Sequence, residues 1–331
     1  MEAVGVSYLT VLTIILIIIQ DVDMRAAGVR IHALVFAGVV LAGCASGTSG
    51  TEHSDGRLDI QASFYPLQWI AEQVGGSAVA VSTLTPPGAE PHDLELSARD
   101  VGAIGEADLV VYLSGFQAAV DDAVLQEADS SAFDSAEHTD LSLTYSPIEE
   151  GRPSNDGAQP DLHFWLDPLR LADVADALAE RFGEIDSDNA STFSENAQSL
   201  RAELEGLDTE VRQGLSDCES PLLVTSHNAF GYLADAYGLT QVGITGLTPE
   251  EEPSAASLAD VASFVEDNDV RTIYVETLVS PEIAETIASE AGVDTALLDP
   301  IEGLSEESDG SDYLEVMRSN LATLRSGQPC S

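Results

Sequence analysis

From position 58 onward, short runs of β-branched and aliphatic residues alternate with longer amphipathic stretches, and Gly, Pro, Ser or Asp punctuate the joins. This rhythm predicts a strand over 58–64, a helix opened by Pro66 and closed at Gly75-Gly76, and a second strand over 79–84. Ser97, with Asp100 three residues later, marks a capping-box start for a short helix. A strand over 109–113 and a helix over 116–126 follow. Residues 128–160 show no clear period and are rich in Asp, Glu, Ser and Pro, which predicts a mobile surface loop. Helical spacing resumes at Pro168. A longer run over 190–214 then sets Phe193, Ala197, Leu200, Leu204 and Val211 on one face, as a long connecting helix would. After it the pattern begins again. Strands are expected over 222–225, 240–244, 272–275 and 295–298, with a helix ending at Gly238 and others over 254–268, 281–291 and 313–324. Such alternation predicts an α/β fold of parallel sheets covered by helices.

The segment before position 58 reads differently. One apolar run spans 8–19; a second begins afresh after Met24, with Arg25 and Arg30 ahead of a short apolar core over 33–40 and then Leu41-Ala42-Gly43-Cys44. A positive flank, an apolar core and small residues before a cut are the layout of an export signal. The last four residues resemble a lipobox, in which Cys44 becomes the lipidated first residue of the mature protein. The alternative is a membrane anchor that merely ends at Cys44. Met24 is a candidate true start; otherwise the first run is an extra span. The expected organisation is an export signal over 1–44, a flexible polar tether over 45–57, an N-terminal lobe over 58–185 carrying the acidic loop 128–160, a connecting helix over 186–215 and a C-terminal lobe over 216–331.

Charge changes the picture. The 331 residues hold 58 acidic side chains against 12 basic ones, a net charge of −46, and every basic residue is Arg. A disordered acidic chain is the first reading of such numbers, but the regular apolar blocks argue for a folded one. Molar salt cuts the Debye length to roughly 3 Å and makes this self-repulsion tolerable, so the composition points to a halophile. It also excludes a nucleic-acid partner, because no basic patch exists.

The candidate chemistry lies in six histidines. His92, His163 and His227 each stand where the chain should reverse, and Asp299 ends a predicted strand. In parallel α/β sheets, ligands bind beyond the carboxyl ends of the strands. Three neutral imidazoles and one carboxylate suit a divalent ion, zinc before manganese, since zinc takes four N, O or S ligands in a tetrahedron. Glu276 also follows a strand, and is a candidate to accept a hydrogen bond from a ligating histidine. His53 and His138 lie in polar segments and His32 in the export signal; none of these is a candidate. An exported context permits a disulfide between Cys218 and Cys330, the alternative being two free thiols. Asn189-Ala190-Ser191 is a glycosylation sequon, which a protein can carry unused.

Six blocks carry a resemblance: SFYPLQWIAEQVGG (63–76), TPPGAEPHDLELSARDV (85–101), ADLVVYLSG (107–115), HFWLDP (163–168), TSHNAFGYLADAYGL (225–239) and YVETLVS (274–280). Together, in this order, they resemble the metal-binding receptors of ABC-type zinc and manganese importers, the cluster A-I solute-binding proteins, from residue 58 to the C-terminus. The resemblance implies two lobes, each a parallel-rich sheet covered by helices, joined by one long helix, with the metal in the cleft. It implies His92, His163, His227 and Asp299 as ligands, and zinc as the cargo, because manganese-type members put Glu where His227 stands. It further implies an ABC permease as partner, a monomer held to the outer face of the cell membrane by its lipid, and no enzymatic activity. Two departures stand out. The segment between the first two histidines is acidic and holds only His138, where many zinc receptors carry a His-rich loop, and Pro91 separates Glu90 from His92. Two other functions stay open at this point. An exported zinc hydrolase would need an open coordination position and a general base, yet no HExxH motif is present. A surface adhesin with a structural metal is the other.

Overall fold

The computed structural model describes residues 56–145, 148–149, 152–153, 159–249, 252–328 and 330. The expected export signal, Cys44, His53 and nearly all of the tether lie outside the described residues. The first half contains β1 (Leu58–Ala62), α1 (Tyr65–Gly75), β2 (Val79–Thr83), α2 (Ala98–Glu106), β3 (Leu109–Tyr112), α3 (Ala118–Glu127) and β4 (Ala132–Asp134). Its four strands are parallel, in the order β2-β1-β3-β4. The second half contains β9 (Leu222–Thr225), α6 (Gly231–Tyr237), β10 (Thr240–Gly243), α7 (Ala255–Asp267), β11 (Thr272–Val275), α8 (Glu282–Ala291), β12 (Asp294–Leu297) and α9 (Tyr313–Gly327). Its parallel sheet has the order β10-β9-β11-β12, the same winding as the first.

Local chemistry explains the boundaries. Ser97 opens α2 with a capping box: its hydroxyl accepts from the Asp100 amide at 3.3 Å, and the Asp100 carboxylate accepts from the Ser97 amide at 2.8 Å. Gly76, at φ 53°, ends α1 in a conformation that a side chain would resist. Neighbouring strand residues face opposite sides of the sheet. Leu109 and Val111 enter one core while Val110 enters another with Ile104, Val120 and Val124. In the second sheet Tyr274 and Ile273 divide in the same way, Ile273 joining Val224, Val261 and Ile287. Both sheets are therefore covered on both faces, as the continuous apolar runs required.

The segment expected to be a loop is partly paired. Residues 132–134 form β4, and Phe133 is the one core side chain it offers. A three-residue strand inside polar sequence carries too little period to be seen. Further along, β5 (Thr144–Tyr145) pairs antiparallel with β8 (Gln159–Pro160), and β6 (Ile148–Glu149) with β7 (Arg152–Pro153).

Helix α4 (Pro168–Ile185) leads into α5 (Ala190–Leu215), the long helix anticipated from its spacing. Phe193, Ala197, Leu200, Leu204, Leu207, Val211 and Leu215 form its buried stripe. Fully burying a side chain of this size contributes about 1.5–3 kcal/mol. The stripe meets α1 and α4 of the first half and α6 and α9 of the second, so one apolar core runs through both lobes. Polar ties reinforce it. The Trp165 indole donates to Pro300 O at 2.8 Å, the Tyr313 hydroxyl donates to Trp165 O at 2.5 Å, and the Gly88 amide donates to Leu304 O at 3.0 Å. A disulfide joins Cys218 to Cys330 and so ties the tail beyond α9 to the segment before β9. Among the described residues no helix is long and apolar enough to cross a membrane.

Candidate metal centre

Four loops converge where the lobes meet. His92 comes from the loop after β2, and His163 from the stretch between β8 and α4, just before the 3-10 turn Phe164–Leu166. His227 stands two residues past β9, and Glu302 follows β12. The ligand-capable atoms of these four residues all lie within 4.8 Å of one another. Glu302 Oε1 is the common neighbour: His227 Nε2 is 3.2 Å from it, His163 Nε2 3.3 Å and His92 Nε2 3.5 Å. The Nε2 atoms of His92 and His163 are buried and approach Oε1 without hydrogen-bond geometry. A tetrahedral zinc ion, with bonds of about 2.0–2.1 Å, separates its ligand atoms by about 3.3–3.4 Å. The carboxylate–imidazole distances match that edge.

The other nitrogens are held from behind. His163 Nδ1 lies 2.8 Å from Asp161 Oδ1, which also accepts from the His163 backbone amide at 2.9 Å. His227 is held the same way: Glu276 Oε1 accepts from its amide at 2.9 Å, and Glu276 Oε2 bonds its Nδ1. A proton on Nδ1 shared with a carboxylate leaves the Nε2 lone pair for the site. Glu276 follows β11, the neighbour of β9, so this pair spans the point where the second sheet reverses its winding, the usual place for a ligand. Phe116 packs its ring 4.4 Å from His92 and 5.8 Å from His163, and Trp165 sits 5.2 Å from His163. A cleft of about 420 Å³, lined in part by His92, Phe116, Leu162, His163 and Thr248, opens beside the group.

Burial alone would push both inner imidazoles down. Asp161 and Glu302 outweigh it at His163 and raise that ring above the ordinary 6.5. Glu276 and Glu302 raise His227 well above it. Burial likewise opposes ionisation of Glu302, yet the charge of His227 beside it, with the imidazoles of His163 and His92 close by, holds its carboxyl well below the usual range. The site therefore favours an ionised Glu302 facing two imidazoles, His163 and His227, at which protons compete with a cation more strongly than at a free histidine.

Asp299, the fourth ligand expected from the sequence, is not in this group. It is buried, but its oxygens are spoken for: Oδ1 accepts from the Ile301 amide at 2.8 Å and Oδ2 from the Ser308 hydroxyl at 2.7 Å. Its backbone is clasped by Asn320, which accepts from the Asp299 amide at 2.9 Å and donates to Asp299 O at 2.7 Å. These bonds hold Ile301 at φ 57°, a left-handed conformation that a β-branched residue strongly resists. The turn brings Glu302 to the histidines. The acid nearest the strand end thus shapes the loop, and the next one, three residues on, faces the site. Asp161 was also missed; its signal was two positions before His163 in PDLHF. His138 lies outside the group and stacks on Phe133 with ring centroids 4.5 Å apart.

Two α/β lobes on a long helix, with ligand-capable side chains converging from both, define a two-lobed solute-binding protein. Residues 60–327 match the model of one family of that class, ZnuA, described as zinc-uptake complex component A, periplasmic. The chain belongs to this family, as its sequence blocks led us to expect. It is 35% identical over 285 residues to the zinc-binding lipoprotein AdcA of Streptococcus pneumoniae, covering 84% of this chain but 57% of that protein. The chain thus spans a little over half the length of that relative. With the high-affinity zinc uptake system protein ZnuA of Bacillus subtilis it shares 33% identity, over 87% of this chain and 93% of the relative. Among solved structures, the Zn(II)-bound ZnuA-like domain of Streptococcus pneumoniae AdcA superposes with a TM-score of 0.69 at 34% identity, covering 82% of this chain and 99% of that one. The laminin-binding protein of Streptococcus agalactiae, described as having adhesin and metal-transporting activity, gives a TM-score of 0.72 at 31% identity over 82% of this chain and 99% of its own. These relatives are named for zinc binding, zinc uptake, adhesion or metal transport, not for an enzymatic reaction.

Proposed function

We propose that the chain is the extracytoplasmic receptor of a zinc importer: it captures one zinc ion between its lobes and presents it to an ABC-type permease. His92, His163, His227 and Glu302 are the ligands in this reading, and Asp161 and Glu276 brace His163 and His227. The observation that carries it is the set of three imidazole nitrogens 3.2–3.5 Å from one carboxylate oxygen. Four protein ligands close the tetrahedron and leave no position for the water that a zinc hydrolase activates, which argues against an enzyme. Nitrogen-dominated ligation favours zinc over manganese, which prefers oxygen. In the same reading Cys44 carries the lipid that anchors a monomer outside the membrane, and the chain works in high salt. The adhesin alternative rests on a structural neighbour with two described activities; the metal reading rests on this chain's own geometry.

Competition titration of the purified protein with zinc and manganese tests the proposal. Stoichiometric binding with zinc preferred is the expected result. Manganese winning at equal free concentration, or neither ion binding, would overturn it.

A further inference from the structure

Glu276 and the histidine it braces, His227, both belong to the second lobe. The brace on His163 lies in the first lobe but is packed against the second. Asp161 is buried at 4% exposure, and one of its oxygens, Oδ1, is bonded twice to His163. Its backbone is fixed on both sides: the Asp161 amide donates to Leu143 O at 3.0 Å, and Asp161 O accepts from the hydroxyl of Tyr232, a residue of α6, at 3.2 Å. The remaining oxygen, Oδ2, presses on Gly231, the first residue of α6. A Cβ built on Gly231 would stand 2.2 Å from Oδ2. That is far inside van der Waals contact, and Asp161 has little room to yield, because turning its carboxylate breaks both bonds to His163.

We propose that Asp161 is the positioning residue for His163, and that Gly231, in the opposite lobe, is the space on which its position depends. The bare Cα of residue 231 lets the second lobe close onto the carboxylate that orients a ligand of the first. Residue 231 then controls metal affinity without touching the metal. Gly231 is not among the glycines at positive φ, so alanine there suffers no backbone strain and isolates the contact. The inference rests on the zinc-receptor reading above.

The test uses G231A, D161N and H163A on the full chain, with G206A as control, since nothing lies within 4 Å of a Cβ at Gly206. Zinc affinity is read by competition with a chromophoric chelator in molar salt, and the ligand field by the visible absorption of the cobalt-loaded protein. Losing a carboxylate brace of this kind lowers metal affinity by about 10–100-fold. G231A should fall in that range, change the cobalt spectrum, and cost nothing further in the H163A background. D161N, which keeps the side-chain volume, should weaken binding in the same direction and be non-additive with G231A. G206A should match the parent chain. A parent chain that binds zinc while G231A binds equally well would overturn this inference alone, and so would a G231A loss that persists undiminished in H163A. A parent chain that fails to bind zinc would sink the receptor reading and this inference with it.

Discussion

Glu302→Gln separates the carboxylate that faces the histidines from the one that shapes the turn. The substitution keeps the volume and one acceptor oxygen but removes the negative charge at a residue 2% exposed, where water screens little. Removing one partner of a buried ion pair costs about 3–5 kcal/mol. The remaining amide oxygen can still approach the ion, so the lower part of that range applies. At about 1.4 kcal/mol per decade, zinc affinity should fall by about 100–1000-fold. A second effect opposes this one: Glu302 also raises His163 and His227, and without it protons compete less well for them. The comparison therefore belongs at alkaline pH, where that offset is smallest. Asp299→Asn is the matched control. It keeps an acceptor for the Ile301 amide and weakens the bond from Ser308, so it should lower stability by about 1–2 kcal/mol and zinc affinity by no more than about threefold. Chelator competition gives the affinities and thermal melts of the metal-free protein give the stabilities. The reasoning is refuted if D299N loses as much affinity as E302Q, or if E302Q binds like the parent chain.

Proton release is the next expectation. Because carboxylates hold His163 and His227 above the ordinary 6.5, zinc must displace protons from rings that stay charged to higher pH than usual, so affinity should already decline on acidification from above 6.5. Calorimetry in buffers of different ionisation enthalpy checks it, and a binding heat independent of buffer would contradict it. The Cys218–Cys330 bridge spans a sequence separation of 112, so reducing it should lower stability by about 4–5 kcal/mol, seen as an earlier urea midpoint; coincident curves with and without reductant would rule this out. The net charge of −46 should make folding depend on molar salt, with zinc giving partial protection on dilution; full helical circular dichroism at millimolar salt without zinc would refute the halophile reading.

The main elements were legible because their signals are local. Pro66 and Gly76 bracket α1, Ser97 and Asp100 cap α2, and the apolar spacing from Phe193 to Val211 announces α5. Strand β4 was not, since its placement depends on Phe133 finding a core that only the assembled sheet provides. The histidines stood out because they are few and each of the three lies where the chain should reverse. Choosing between Asp299 and Glu302 needed the turn itself: a carboxylate that accepts from the amide two residues on and a left-handed Ile301 decide which acid looks inward. Asp161 was hidden for a similar reason, because an acid two residues before a histidine has no preferred partner until the chain bends between them.

The division of the site between the lobes bears on how a receptor would release its cargo. His92 and His163 come from the first half, His227 and Glu302 from the second. In the proposed reading, parting the lobes would therefore take two ligands away from the ion whichever half moves, and would leave neither half with a complete tetrahedron. The same parting would break the bonds from Gly88 to Leu304 and from Trp165 to Pro300, which tie the His92 and His163 segments to the loop bearing Glu302. Ion, loops and lobe contacts are thus one cooperative unit. A ligand that binds only the closed arrangement stabilises it by its own binding free energy. In the proposed reading a permease need not compete for zinc ligand by ligand; it need only favour the arrangement in which two of the four have already gone.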